Sequence, residues 1–208
     1  MTVTTHGSSR GIRPAPGQTL YLVRHGETDW NAEGRLQGGR DIPLNGRGRA
    51  QAREAGQKLA ALVPVAAGLD YLCSPMGRAR ETMELLRETL GLPREAYVVD
   101  QRLSEITFGS WEGQTWREVR KLDPARASAR EAHKWGYVPP GGESYGMLRE
   151  RILPVFAGLT RDTVVVSHGG VMRAALNGYG FEEPSRAESL DIWQGRIIVL
   201  TQDGYRWN

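Results

Sequence analysis

Two short runs, Thr19-Leu-Tyr-Leu-Val23 and Thr163-Val-Val-Val166, are almost wholly apolar and pass at once into polar turns rich in glycine. Runs this short, without alternation, are the pattern of strands covered on both faces, as in parallel sheets flanked by helices. Leu69-Asp-Tyr-Leu-Cys73 reads as a second strand and Tyr97-Val-Val99 as a third. Helical spacing fills the intervals. Ala50, Ala55, Leu59 and Leu62 follow Asn45-Gly46, and a segment from Gly77 to Leu90 is stopped by Gly91 and Pro93. Glu143 to Leu159 reads as a helix kinked or ended at Pro154, and Val171 to Leu176 as a short one. Strands alternating with helices predict an α/β fold, a three-layer α/β/α sandwich with a mostly parallel central sheet. Residues 104–142 read as loop-rich, with a polar helix around 115–134, and the tail as a hairpin of Leu190–Trp193 with Ile197–Thr201 across Gly195. Residues 1–18 have no apolar periodicity and read as a mobile leader. Residues 19–208 then form a single domain without an internal repeat.

Composition narrows the function classes. With 39% hydrophobic and 25% charged residues among 208, the chain is neither disordered nor fibrous. The single cysteine, Cys73, excludes a disulfide framework and a multi-cysteine metal centre, and suits a reducing compartment. The longest apolar stretch, Leu59 to Leu69, contains Pro64 and is too short to span a bilayer. Residues 1–18 lack the apolar core of a secretory signal, so a cytoplasmic location is expected. Net charge of +3 does not demand a nucleic-acid partner. Only Lys58, Lys121 and Lys134 are lysines, so 24 of the 27 basic residues are arginines. Codon bias explains such a skew, as does a need for planar forks aimed at phosphate or carboxylate.

Position favours the second explanation at particular sites. In an open α/β sheet, ligands bind beyond the carboxyl ends of the strands. The first strand runs into Arg24-His25-Gly26-Glu27-Thr28, the 163–166 strand into Ser167-His168-Gly169-Gly170, and the second strand into Ser74-Pro75-Met76-Gly77-Arg78. Parallel pairing would bring both histidines and Arg78 to one edge of the sheet. The glycines allow close backbone approach and leave free N–H groups at a helix start, which suits an anion. His6 and His133 lack this context and read as ordinary surface residues, Cys73 as core, and Trp111, Trp116 and Trp135 as packing. Two histidines without clustered carboxylates do not form a metal ligand set, so no metal and no cofactor are expected. Two histidines with arginines suit phosphate or another oxyanion.

Four motifs make the reading narrower. Leu22-Val-Arg-His-Gly-Glu-Thr-Asp-Trp-Asn31, Ser74-Pro-Met-Gly-Arg-Ala-Arg-Glu-Thr82, Leu103-Ser-Glu-Ile-Thr-Phe-Gly-Ser-Trp-Glu-Gly113 and Ser167-His-Gly-Gly170 occur in this order. Together they resemble the signatures of the histidine phosphatase superfamily, which includes the phosphoglycerate mutases. The resemblance spans about residues 19–202 and implies a phosphoglycerate mutase-like fold. By it, His25 is the nucleophile that becomes a phosphohistidine. Arg24, Arg78 and His168 form the phosphate pocket with Asn31 and Gly169, and Glu105 is the proton donor. Residues 106–147 would fold over the pocket as a cap. Only 62 residues separate Glu105 from His168, fewer than in the mutases this family includes. The sequence after Glu105 and Pro140-Gly-Gly-Glu-Ser144 resemble the phosphatase branch. The resemblance therefore implies metal-independent hydrolysis of a small-molecule phosphate ester, a phosphomonoester, without nucleic acid or membrane as partner. Oligomeric state stays open. A cofactor-dependent phosphoglycerate mutase and a non-catalytic phospholigand-binding protein are the alternatives.

Overall fold

A computed structural model of the chain describes residues 11–208. Its elements are β1 (Leu20–Arg24), α1 (Asp29–Ala32), α2 (Gly46–Leu62), β2 (Asp70–Cys73), α3 (Gly77–Thr89), β3 (Val98–Val99), α4 (Trp116–Leu122), α5 (Pro124–Ala132), α6 (Tyr145–Ala157), β4 (Thr163–Ser167), α7 (Gly169–Gly178), α8 (Pro184–Ala187), β5 (Ile197–Thr201) and β6 (Gly204–Trp207). The strands form one sheet in the order β3-β2-β4-β1-β5-β6. Its first four strands are mutually parallel, and β5 and β6 extend it antiparallel.

Alternate strand residues build two cores. Tyr21, Val23, Cys73, Val164 and Val166 face Ala55 and Leu59 of α2 and Met83 and Leu86 of α3. Leu20, Leu22, Leu72 and Val165 face Leu148, Ile152, Met172 and Leu176 of α6 and α7. These are the three layers that the unalternating apolar strands imply. The chain goes from β1 to β2 and later inserts β4 between them, so the loops after all three strands open around one crevice. Register carries this to single residues. Arg24 pairs with Ser167 and Cys73 with Val166, so His25, His168 and Ser74 leave the sheet side by side.

Several predicted boundaries differ from those observed, each for a physical reason. The buried stripe of α2 is Gly48, Ala52, Ala55, Gly56 and Leu59, while Ala50 is exposed. The polar helix expected over 115–134 is two helices, broken at Asp123 because Pro124 starts a new first turn. Helix α6 continues through Pro154. The carbonyl deprived of its partner there belongs to exposed Glu150, where water can replace the missing N–H. The tail hairpin joins β5 to β6 rather than to residues 190–193. Its turn signal is Asp203-Gly204, and the carbonyls of Leu190 and Ile192 instead accept from Arg173 and Arg24. Of the leader, residues 1–10, with His6, lie outside the described residues. Ile12 N–H donates to Gly178, and the Gln18 amide donates to Leu159 and Arg161. Among the described residues no helix is long and apolar enough to cross a membrane.

Candidate active site

The sheet register sets the floor of the site. His25 is 2% exposed, and its backbone N–H continues the β1–β4 ladder to Ser167. Its Nδ1 lies 2.7 Å from the carbonyl oxygen of Gly26. A carbonyl only accepts, so these bonds assign the imidazole proton to Nδ1 and leave Nε2 with a free lone pair. Arg78 Nε donates to that Nε2 at 3.2 Å. Burial, reinforced by the Arg78 and Arg24 guanidinium groups, holds the His25 pKa well below the ordinary imidazole range. His25 is therefore a neutral, oriented base at the head of a strand.

The chain reaches this position through two backbone crossings that only glycine permits. A Cβ on Gly26 would lie 2.2 Å from the Gly48 carbonyl oxygen, and one on Gly48 would lie 2.0 Å from that of Glu27. The start of α2 thus presses against the loop after β1. Asn45 caps the helix and Asn45 N–H donates to Glu27.

Arg78, at the second position of α3, is 1% exposed. Its Nη1 donates to Arg40 at 2.6 Å and its Nη2 to Gly38 at 3.0 Å, while Asp41 is 3.5 Å away. Arg24 Nη1 donates to Ile192, but its buried Nε has no partner among the described residues. Burial and the nearby Arg173 lower the Arg24 pKa to about 10. His168 is fully buried, its ring centroid 5.1 Å from that of His25, and its Nε2 is 2.7 Å from Ser74 Oγ. Its Nδ1 has no partner among the described residues, and burial with Arg78 and His25 keeps the ring neutral. The buried Arg78 guanidinium, the part-buried Arg24 guanidinium and two neutral imidazoles converge, an arrangement suited to an anion.

The fifth expected residue, Glu105, approaches from the other side. Glu105 follows Leu103, whose carbonyl accepts from Ser167 Oγ at 2.8 Å. Its carboxylate accepts from Ile106 N–H at 2.8 Å and from Gly170 N–H at 3.1 Å. A Cβ on Gly170 would lie 2.3 Å from Glu105 Oε1, so the second glycine of the Ser-His-Gly-Gly turn makes room for this carboxylate. Arg151 holds the loop by pairing with Glu143 at 2.7 Å and donating to Arg102 and Ser104. Asn31 sits in a capping box with Thr28, and its Oδ1 also accepts from Gln194.

Arg24, His25, Asn31, Arg78, Glu105 and Gly169 all line one cavity of about 400 Å³. His168 lies behind it as a buried neighbour of His25. The cavity also contains residues that sequence reasoning missed: Arg35, Arg120, Arg130, Lys134, Arg173 and Tyr145. Arg173 is the one that had a signal, lying one helical turn beyond Gly169-Gly170 at the strand end. Trp116 lines the cavity too, although it reads in sequence as packing, whereas Trp111 is buried and Trp135 stacks on Tyr145. Cys73 is buried in the core, where desolvation pushes its thiol pKa up. Exposed His133 closes the end of α5. Among the described residues no three His, Cys, Asp or Glu side chains converge as a metal site.

The model of the histidine phosphatase superfamily (branch 1) matches residues 20–208. The chain belongs to that superfamily. Among histidine phosphatase relatives, the glucosyl-3-phosphoglycerate phosphatase of Mycolicibacterium vanbaalenii is 36% identical over 168 residues, covering 74% of this chain and 71% of that one. A 2,3-bisphosphoglycerate-dependent phosphoglycerate mutase of Mesorhizobium japonicum is 32% identical over 188 residues, covering 82% and 87%. The solved structure of a mycobacterial glucosyl-3-phosphoglycerate phosphatase in complex with VO3 superposes with a TM-score of 0.75 at 29% identity, over 92% of this chain and 96% of that one. The chain thus has both phosphatases and mutases among its relatives.

Proposed function

We propose that the protein hydrolyses a small phosphomonoester through a phosphohistidine on His25. The observation that carries the proposal is the neutral His25 imidazole, its Nδ1–H held by the Gly26 carbonyl and its unprotonated Nε2 beside the Arg78 guanidinium, with Arg24 nearby. A neutral imidazole is a competent nucleophile toward phosphorus. Phosphoryl transfer otherwise needs positioning and charge neutralisation. Arg24 and Arg78 supply the positive charge, with His168, Asn31 and the Gly169 backbone completing the phosphate pocket. In the first step the Nε2 lone pair attacks phosphorus and the ester P–O bond breaks. Glu105, in its carboxylic acid form, gives its proton to the leaving oxygen. In the second step the Glu105 carboxylate takes a proton from water, the water oxygen attacks phosphorus and the P–N bond breaks. Inorganic phosphate leaves and neutral His25 returns. Residues 106–147 act as a cap, because Phe108, Trp116 and Arg130 from this segment line the cavity over His25.

Turnover of nitrophenyl phosphate by the purified protein, undiminished in EDTA, tests this reading. Absence of turnover, or loss in EDTA restored by magnesium, would contradict it. The second reading, a mutase, is favoured by the mutases among the relatives. It requires interconversion of 2- and 3-phosphoglycerate dependent on a bisphosphate primer, faster than release of inorganic phosphate.

A further inference from the structure

A second cavity, of about 880 Å³, opens at the opposite end of the sheet from His25. Leu69 and Asp70 at the entry to β2, and Leu159 and Thr163 at the entry to β4, line it, whereas His25, Ser74 and His168 follow the strand ends. The opening exists because β3 is short. It pairs with β2 only at Leu72–Val98 and Cys73–Val99, so Asp70 and Tyr71 have no strand beside them on that edge. Leu72, Leu92 and Val98 extend the apolar lining, and the volume is that of a small-molecule site.

One cation reaches this lining. Arg87, in the last turn of α3, lines the cavity and is 4% exposed. Its position follows from how the helix ends. Gly91 takes a φ of +70°, its N–H donates to the Glu88 carbonyl at 3.0 Å, and Leu92 N–H donates to the Arg87 carbonyl at 2.9 Å, a Schellman turn. The chain thereby folds back until the Pro93 carbonyl accepts from Arg87 Nε at 2.7 Å. The Tyr71 ring stacks on the guanidinium, its centroid 4.2 Å from Cζ. Carbonyl and ring fix the plane of the fork, and neither Nη has a hydrogen bond or ion pair among the described residues. Two carboxylates line the cavity without reaching Arg87: Asp70 pairs with Arg161 at 2.8 Å, and Glu95 is exposed. The Tyr71 hydroxyl donates to Ala66 and the Tyr97 hydroxyl to Glu84. A guanidinium this buried with no carboxylate against it is costly.

We propose that this cavity binds a small amphipathic monocarboxylate. The two Nη groups of Arg87 donate to its carboxylate oxygens, the planar match for which an oriented guanidinium is suited. The alkyl or aryl remainder covers Leu69, Leu72 and Leu92. A single cation in an apolar lining favours a monoanion, because a phosphate dianion would keep one charge uncompensated there. Binding at this site is independent of hydrolysis at His25.

Calorimetric titration with octanoate and 4-phenylbutyrate, each against its amide, tests the proposal, with inorganic phosphate present to fill the His25 pocket. At least one acid should bind once per chain and about 10-fold or more tighter than its amide, the size of a charged hydrogen bond. Arg87→Met keeps an unbranched stem on Tyr71 and should bring that ratio to within about 3-fold of unity. Ala96→Glu alters an exposed residue of the lining and leaves the Schellman turn alone, so it stays informative if Arg87→Met fails to fold. It should weaken the acid by about 3-fold or more and spare the amide. Absence of binding by either acid, equal binding of acid and amide, or a ratio unchanged in both variants overturns the proposal. Binding that inorganic phosphate abolishes places the anion in the His25 pocket and overturns it too. A dimer in sedimentation that Val98→Lys dissociates, with no acid bound to the wild type, assigns the face to a second copy of the chain instead.

Discussion

The floor and the cap-side wall of the cavity are built on different principles. The floor is an extension of the sheet. His25 and His168 occupy positions that the β1–β4 register dictates, and Arg78, Ser74 and Gly26 are tied to them by hydrogen bonds. The wall rests on α4 and α5, with a small core of Leu36, Trp111, Val119 and Ala127 that meets the main core through Phe108. A change in the floor disturbs register, tautomer and charge together. A change in the wall leaves the sheet alone. One scaffold can therefore keep its chemistry and alter its substrates.

Substitutions in the floor should break this division most severely. His25→Ala should lower turnover of nitrophenyl phosphate by about 10⁴-fold or more, as for removal of other nucleophiles, with cooperative unfolding retained. A rate near that of the wild type, measured on folded protein, removes the nucleophile assignment. Glu105→Gln should separate substrates by leaving group. With alkyl phosphates the first step should slow by about 10²–10⁴-fold, since an alkoxide needs the proton. With nitrophenyl phosphate the first step should change little and the phosphoenzyme should accumulate. Equal slowing of phosphorylation by both esters in single-turnover measurements would assign the acid elsewhere.

Gly170→Ala sharpens the comparison, because it alters the floor without removing a functional group. Its Cβ would displace the Glu105 carboxylate, and misplacement by about 1 Å costs on the order of 10²-fold in rate. A kcat within about twofold of wild type would mean that Glu105 needs no such placement.

The smallest effect is on stability. His25 and His168 are held neutral in the folded state, with pKa values well below 6.5. Below that pH the unfolded chain binds protons that the folded chain refuses, so stability falls as pH falls. Each histidine contributes a slope of about 1.4 kcal/mol per pH unit until its folded pKa is reached. Denaturant melts between pH 6.5 and 5 should show this fall, and His25→Ala should lessen it by about one histidine's share. Stability that is flat over this range, or a slope unchanged in the variant, would show that the imidazoles ionise without cost.

The same division governs what could be read from the amino-acid sequence. Short apolar runs ending in His-Gly specify a parallel sheet and its functional edge, because register follows from burial on both faces. His25, His168, Arg24 and Arg78 were legible for that reason. Glu105 was legible only through a resemblance, since a loop glutamate has no periodicity to place it; its position depends on Ser167, Arg151 and Gly170, distant in sequence. Arg130 and Lys134 fall within the polar helix expected around 115–134, and the burial of Arg130 depends on how α5 docks against Trp116. The Leu190–Trp193 segment was misread as a strand because its apolar residues obscured the use of its carbonyls by two arginines.

In the proposed mechanism His25 Nε2 bonds covalently to phosphorus during turnover. Glu105→Gln mixed with nitrophenyl phosphate, stopped in alkali and analysed by peptide mass spectrometry, tests it most directly, because acid would hydrolyse a phosphohistidine. One phosphoryl group is expected on the peptide containing His25, stable in alkali, lost in acid and absent when His25→Ala is combined with Glu105→Gln. Nitrophenolate release without any phosphorylated peptide, or a phosphoryl group on another residue, would contradict it.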